Sequence, residues 1–152
     1  MPQEKLKEVF DRITREVTKD SMGIQLVQGD APSRNNLCTV HIAFRQGFRS
    51  SLSFRADAAI FVRMTQSVIK GGHITPQDVE DVAKEYFNVL CGHIAADMFK
   101  ATHISSRFGV PSFHLGVYHP QDQEEQFALS YTNDQNESAQ LVHHVPTQDG
   151  AQ

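Results

Sequence analysis

The sequence contains only two cysteines, Cys38 and Cys91, and they are far apart in the chain. Two isolated thiols cannot build a disulfide framework, and they cannot form a zinc site without other ligands. No apolar run approaches the ~20 residues that a membrane-spanning helix needs. The first residues, MPQEKLKEVFDR, are charged where a secretory signal would be apolar. These absences predict a reduced protein in the cytoplasm, with no insertion into a membrane.

The sequence also lacks the common motifs of nucleotide, metal and ester chemistry. It has no GxxxxGKS/T or GxGxxG phosphate loop, no HExxH zinc motif and no GxSxG nucleophile motif. The net charge of −4 argues against nucleic acid or an anionic membrane as the main partner. With 39% hydrophobic and 21% charged residues among 152, the composition is that of one globular domain. We expect this domain to span residues 3–145, followed by a disordered tail over 146–152.

Hydrophobic periodicity predicts an α+β fold in the order α-βββ-αα-βββ, with a mainly antiparallel sheet packed against long helices. The first helix is expected to span 3–19, and a Gln46-Gly47 turn is expected to join two strands, with Phe48, Leu52 and Phe54 facing inward on the second. The other expected segments are strands at 22–27, 37–44, 113–117, 127–131 and 139–145, helices at 57–70 and 75–102, and a loop at 103–111.

The helix predicted over 75–102 has a clear start and one apolar face. Thr75 is a good N-cap, Pro76 suits the first helical position, and Asp78 completes a near capping-box arrangement. The residues expected to face the core are Val79, Ala83, Tyr86, Phe87, Leu90, Ile94 and Met98.

The opposite face of this helix has an unusual composition. A merely solvated face would favour long helix-forming side chains such as Lys, Glu, Gln and Arg. Here it carries Asp81, Glu85, Asn88, Gly92 and Ala96. Gly92 in mid-helix costs about 1 kcal/mol relative to alanine, so it needs a reason. We interpret the five residues as a docking face centred on Glu85 and Asn88.

Histidine and cysteine offer weaker candidates for a site. The eight histidines are scattered, and the neighbours His143 and His144 would point to opposite faces of a strand, so they cannot share one metal ion. His93 lies beside the docking face, about a quarter-turn away. Cys91 lies next to the apolar face and is expected to be a packed small residue rather than a nucleophile. No metal is therefore expected to bind this chain.

Spacing alone leaves two interpretations of Glu85 and Asn88 open. They are either an ordinary surface acid and amide, or a pair presented one turn apart to a partner. An asparagine amide both donates and accepts hydrogen bonds, so it could hold a water in line with an electrophile. A carboxylate one turn away could bind a cationic side chain of the partner. Such catalysis would work by positioning, and the electrophile would arrive with its own metal.

The segment 85–92, EYFNVLCG, resembles the signature helix of the CheC/CheX family of chemotaxis phosphatases, Glu-x-x-Asn followed by Gly four residues later. The predicted hairpin, the helix before the signature and the segment VPSFHLG after it are similar to the family in order and spacing. The resemblance covers residues 3–145. It implies hydrolysis of the phospho-aspartate of a CheY-like response regulator. Asn88 would orient the attacking water, Glu85 would contact the regulator's active-site lysine, and Mg²⁺ would belong to the regulator.

A single motif favours a CheX-like protein, which implies a homodimer. A faint internal echo pairs Lys7-Glu8-Val9-Phe10-Asp11 with Lys84-Glu85-Tyr86-Phe87-Asn88. In the echo, Asp11 stands where the asparagine would be, and an aspartate cannot donate a hydrogen bond, so it should not replace Asn88.

Two rival functions remain at this point. One is a module of the same fold that binds a response regulator or another partner without hydrolysing anything. The other is a dimerising subunit of a larger signalling or motor complex, like the non-enzymatic relatives of this fold. The Glu85 and Asn88 pair favours the enzyme, because a scaffold alone would not need it.

Overall fold

The computed structural model describes residues 1–32, 35–46 and 49–147 of the chain. Within them the elements are α1 (Gln3–Met22), β1 (Val27–Gln28), β2 (Leu37–Gln46), β3 (Ser51–Asp57), α2 (Ala58–Val68), α3 (Pro76–Thr102), β4 (Arg107–Phe108), β5 (Ser112–Leu115), β6 (Gln123–Thr132) and β7 (Ser138–Pro146). The strands form one antiparallel sheet in the order β1-β6-β7-β3-β2-β4, and β5 also pairs with β2. The predicted α+β fold with a mainly antiparallel sheet is confirmed.

The element order differs from the prediction in two places. The predicted loop at 103–111 contains β4, so four strands follow the helices instead of three. The strand predicted at 22–27 is mostly absent, because α1 continues to Met22 and β1 starts only at Val27. Gly23 ends α1 in the left-handed conformation (φ 68°), and its N–H donates to Lys19 O. Strands of two residues are too short for an alternating pattern to reveal them.

Two predictions involve residues outside the described ranges. Gly47 and Phe48, of the predicted turn and the strand after it, are not described, and neither are residues 148–152 of the predicted tail. The ordered chain passes the predicted boundary at 145, because β7 includes Pro146 and the N–H of Thr147 donates to Asp122 O at 3.1 Å.

The helices pack on one face of the sheet around Phe54 of β3. The Phe54 ring lies 6.0 Å from the Phe61 ring of α2 and 5.3 Å from the Tyr86 ring of α3. The Tyr86 hydroxyl is 2.7 Å from Thr18 Oγ1 of α1. Burying an aromatic side chain of this kind contributes on the order of 2–3 kcal/mol. Within the described ranges no helix is both long and apolar enough to cross a membrane.

The connection between β5 and β6, residues 116–122, covers part of the other face of the sheet. Gly116 O accepts a hydrogen bond from Thr39 Oγ1 at 2.7 Å. The Tyr118 ring stacks on His114 with centroids 3.9 Å apart, and it lies 4.9 Å from the ring of His41. The sheet is therefore buried on both faces in this region, which explains why His41 is only 8% exposed.

His143 and His144 lie on opposite faces of β7, as predicted. The His143 ring packs edge-on against Phe10 of α1 at 5.6 Å, on the helix side. The His144 ring lies 6.0 Å from His41 on the other side, and its Nε2 is 3.0 Å from Ser53 Oγ.

Candidate functional site

The start of α3 is fixed by the capping box that the sequence predicts. Thr75 Oγ1 accepts a hydrogen bond from the Asp78 N–H at 3.1 Å, and Asp78 Oδ2 accepts one from the Thr75 N–H at 2.9 Å. Pro76 occupies the first turn, where no backbone N–H is needed. This cap sets where α3 begins and thus which of its residues face the core.

One face of α3 is buried against α1, α2 and the sheet. Its buried residues are Val82, Ala83, Tyr86, Phe87, Leu90, Cys91, Ile94 and Met98. The prediction differs only at its edges, since Val79 is half-buried and Val82 takes its place. Cys91 is fully buried, and burial raises the pKa of its thiol. Cys91 is therefore a packing residue, as expected, because a buried neutral thiol is a poor nucleophile.

The outward face of α3 forms one wall of an open groove of about 580 Å³. Asp81, Glu85 and Asn88 line the groove from the helix and are exposed. The predicted residues Gly92 and Ala96 do not line it, although Ala96 is also exposed and Gly92 is half-buried. The structure thus groups three of the five predicted residues in one concave surface, and the other two continue along the same helix beyond it.

The polar residues in this part of α3 differ in whether they have partners. Asp81 accepts a hydrogen bond from Gln77 at 2.8 Å, and Lys84 forms an ion pair with Glu80 at 2.6 Å. The Glu85 and Asn88 side chains make no hydrogen bond or ion pair with any residue that the structure describes. Their full hydrogen-bonding capacity is available to a partner.

Gly92 has no explanation within the chain. Its backbone is not in the left-handed region, and a Cβ built on it would meet only Phe108 Cζ, at 4.0 Å, which is an ordinary contact. An alanine would fit here and would favour the helix by about 1 kcal/mol. The glycine is accounted for if another molecule approaches the helix at this point.

The opposite wall of the groove comes from residues that the sequence did not identify. It consists of Arg45 at the end of β2 and of residues 108–111, which include the end of β4. The Gly109 N–H donates to Ala43 O at 2.8 Å and holds this segment against β2. Arg45, Phe108 and Gly109 carry no sequence signal, because they lie at the end of an alternating strand and in the predicted loop. Val110 and Pro111 begin the segment VPSFHLG, which the sequence did mark, but not as part of a groove.

A second groove, of about 460 Å³, lies beside α1 and has a related construction. β1 follows α1 and pairs with β6, much as β4 follows α3 and pairs with β2. The echo residues Glu8 and Asp11 line this groove as Glu85 and Asn88 line the first. The elements therefore support the internal echo in the sequence.

The two grooves differ in what their central residue does. Asp11 Oδ1 accepts hydrogen bonds from Tyr131 OH at 2.8 Å and from Arg15 Nε at 3.0 Å. Burial and the nearby carboxylate raise the pKa of Tyr131, so its hydroxyl keeps its proton and donates. Asp11 thus holds α1 to the sheet, whereas Asn88 faces solvent.

The arrangement around Asn88 can bind and orient a partner. Asn88 offers a neutral donor and acceptor, and Glu85 offers a negative charge one turn away. Among the described residues, no cluster of three or more histidine, cysteine or acidic side chains could hold a metal ion.

No family model and no curated protein matches the sequence. Solved structures do match its fold. CheX from Desulfovibrio desulfuricans has a TM-score of 0.75 at 15% identity, covering 91% of this chain and 97% of that one. The match to the CheX–CheY–BeF3–Mg²⁺ complex from Borrelia burgdorferi has a TM-score of 0.73 at 13% identity, covering 91% and 95%. FliY from Thermotoga maritima has a TM-score of 0.57 at 8% identity, covering 97% and 92%. At these identities the comparisons establish the fold, which is that of the CheX proteins.

Proposed function

We propose that this protein is a phosphatase that hydrolyses the phospho-aspartate of a CheY-like response regulator. The observation that carries the proposal is the pair formed by Glu85 and Asn88. They are exposed, they lie one turn apart in a groove, and they make no bond with any described part of the chain. A pair without a structural role at the centre of a concave surface is typical of a binding site.

In the proposed reaction Asn88 positions the attacking water. Its side-chain carbonyl accepts a hydrogen bond from the water. This hydrogen bond orients the water so that a lone pair of the water oxygen points toward phosphorus. The water oxygen forms a bond to phosphorus as the bond between phosphorus and the aspartate oxygen breaks. The aspartate leaves as the free carboxylate, and both protons of the water remain on the inorganic phosphate, which then exchanges them with solvent. Because an acyl phosphate is already reactive, positioning alone can supply a useful part of the acceleration.

Glu85 contributes to docking in this proposal. Its carboxylate binds the lysine of the regulator's active site, which fixes the partner's orientation over Asn88. The divalent metal ion, expected to be Mg²⁺, is held by the regulator and neutralises charge on the phosphoryl group. Asp81, Gly92 and Ala96 extend the contact along α3.

The fold supports the proposal without deciding it. A CheX protein with this fold was solved in complex with CheY, BeF3 and Mg²⁺. A fold does not by itself specify an activity. The alternative is a module that binds the regulator without hydrolysis. Substitution of Asn88 distinguishes the phosphatase from this binding module.

The test is the decay of a phosphorylated CheY-like regulator in Mg²⁺, with the unsubstituted protein, with Asn88→Ala and without either. We expect the protein to accelerate the decay, and Asn88→Ala to lower kcat about 100-fold or more with little change in affinity. Gln66→Ala, an amide change at an exposed position of α2 outside the groove, serves as the matched control. Equal rates for Asn88→Ala and the unsubstituted protein would exclude the water-positioning role, and binding without acceleration would favour the alternative.

A cytoplasmic location and a homodimer complete the proposal. Response regulators act in the cytoplasm, where an acyl-phosphate signal is made. The edge strand β5 carries Leu115, which is 85% exposed. An apolar edge of this kind favours pairing with a second copy of the sheet. Sedimentation equilibrium measures the assembly directly, and Leu115→Glu should weaken it.

A further inference from the structure

Arg45 occupies an irregular position in β2. Phe44 pairs with Phe108 and Gln46 pairs with Arg107, so Arg45 is an extra residue opposite two consecutive residues of β4. Strict alternation would place it with Ala43 on the face away from the helices, yet it lines the groove beside α3. A bulge of this kind redirects a side chain, and bulges are common next to functional sites.

The Arg45 side chain packs against Gly109. A Cβ on Gly109 would lie 2.9 Å from Arg45 Nε, 3.4 Å from Nη2 and 3.6 Å from Cζ. The guanidinium group therefore lies directly against the Gly109 α-carbon, and with any other residue at this position the flexible Arg45 side chain would have to shift. The backbone at Gly109, just after β4, thus contacts the cation in the groove.

Arg45 has no counter-ion, which sets it apart from four other arginines. These four form ion pairs across or along elements: Arg12 with Asp97, Arg15 with Asp11, Arg55 with Glu125 and Arg63 with Glu137. Arg45 is exposed and forms no ion pair with a described residue, although Glu85 and Asp81 line the same groove. The groove thus presents an unpaired cation and an unpaired anion on its two walls.

This separation of charge matches a partner that carries an anion beside a cation. A guanidinium presents a planar fork of donors that fits two anionic oxygens, and the site of a phosphorylated regulator has such oxygens on its phosphoryl group and on its carboxylates. We infer that Arg45 is a docking residue that binds an anionic oxygen pair at the regulator's active site. This inference rests on the proposed function, because it takes the partner from it.

The test is binding of the full protein to a CheY-like regulator, measured by titration calorimetry at two salt concentrations. Arg45→Gln should raise Kd about tenfold and reduce its dependence on salt. The Kd of Arg45→Lys should lie between those of the unsubstituted protein and Arg45→Gln, because lysine keeps the positive charge but lacks the planar fork of donors. Gly109→Ala should reproduce part of the defect with Arg45 intact. Arg107→Gln, an exposed arginine of β4 outside the groove, is the matched control.

Two forms of the regulator identify the source of the anion. Beryllofluoride with Mg²⁺ mimics the phosphorylated aspartate, and Mg²⁺ alone leaves the carboxylates. A loss of affinity only with beryllofluoride supports contact with the phosphoryl oxygens, and an equal loss in both forms supports contact with a carboxylate. Unchanged affinity of Arg45→Gln in both forms, or a fall in kcat without a change in KM, overturns the inference.

The outcome is distinguishable from that of the proposed function. Binding that depends on Arg45 without any hydrolysis supports the inference and overturns the phosphatase. Hydrolysis that is lost in Asn88→Ala, with affinity and KM unchanged in Arg45→Gln, supports the phosphatase and overturns the inference. No binding of any regulator by the unsubstituted protein overturns both.

Discussion

Asn88 and Gly92 are poor helix formers placed one turn apart in the longest helix. Neither is used for packing, since Asn88 is exposed and a methyl group would fit at Gly92. Each lowers the intrinsic helix stability by roughly 0.5–1 kcal/mol relative to alanine. Local costs of this kind are common where a surface serves a partner. The two residues therefore support the same interpretation as the unpaired Glu85.

Substitution of Glu85 tests the docking role at the scale of one residue. Because Glu85 is exposed and unpaired with described residues, Glu85→Ala should leave the unfolding midpoint unchanged. It should raise Kd for the regulator about tenfold through loss of one charge-assisted contact, and Glu85→Lys should raise it about 100-fold or more through repulsion. Titration calorimetry measures both.

Glu8→Lys is the matched control, because it makes the same charge change at the corresponding position of α1. Its effect on binding should be small. If Glu85→Lys and Glu8→Lys weakened binding equally, net charge rather than a specific contact would explain the result.

At this scale the sequence predicted one wall of the site and missed the other. Helical periodicity is regular, so Glu85 and Asn88 could be assigned to one face from spacing alone. Arg45 could not be assigned, because its direction depends on a bulge that forms only when β4 pairs with β2. The pairing of a two-residue strand such as β4 with β2 depends on the whole fold, and the local sequence alone does not reveal it.

At the scale of the element, α3 has a well-capped N-terminus and residues of low helix propensity in its middle. The capping box of Thr75 and Asp78 fixes its first turn. The buried face then holds it against α1 and the sheet, so the helix tolerates Asn88 and Gly92. Most of the stability of such a helix comes from packing, because intrinsic propensity alone is small.

Gly92→Ala tests whether the glycine serves a partner. The substitution should raise the free energy of unfolding by about 1 kcal/mol, since the added methyl group meets only an ordinary contact with Phe108. It should also weaken binding of the regulator if the partner's backbone approaches α3 there. Urea unfolding and calorimetry report the two effects separately. A stabilised protein with unchanged affinity would contradict the close approach at Gly92.

The strands were predictable where they are long and half-buried. Val40 and Ile42 of β2 and Leu52 and Phe54 of β3 alternate with polar residues and face the helices, as the period of two requires. β1 and β4 were not predicted, because each has only two residues and is recognisable only from its pairing with another strand. They matter nonetheless, since each closes one groove.

At the scale of the whole molecule, one architecture appears twice with different uses. Each half places a helix beside a short edge strand and thereby forms a groove. In the first half Asp11 is bonded to Tyr131 and Arg15, so the groove residue stabilises the fold. In the second half Asn88 is left free of described partners. The two grooves therefore differ in use: Asp11 in one stabilises the fold, and Asn88 in the other is assigned to the proposed function.

Burial on both faces of the sheet also makes the whole protein sensitive to acid. His41, His143 and His144 are buried, and desolvation lowers the pKa of each to about 4 from an ordinary value of 6.5. Neighbouring charge adds to this for His41, which faces His144 and His114. For His144, Glu125 acts in the opposite direction and raises the pKa. All three histidines remain neutral in the folded protein at neutral pH.

The direction of the pH effect follows from these lowered values. Above pH 6.5 the histidines are neutral in both states, and they add no pH dependence. Between pH 6.5 and about 4 the unfolded chain binds protons that the folded chain excludes, so stability falls as the pH falls. Each histidine should lower the free energy of unfolding by about 2 kcal/mol between pH 7 and pH 5.

His41→Phe should remove one of these three contributions without disturbing the fold. The Nε2 of His41 is buried and has no hydrogen-bond partner among the residues that the structure describes, so an aromatic ring without nitrogen loses no contact there. We expect urea unfolding to give equal or higher stability at pH 7 and a smaller loss at pH 5, by about 2 kcal/mol. His73→Gln, at an exposed position, is the control substitution. If His41→Phe lost as much stability on acidification as the unsubstituted protein, His41 would not be a source of the acid sensitivity.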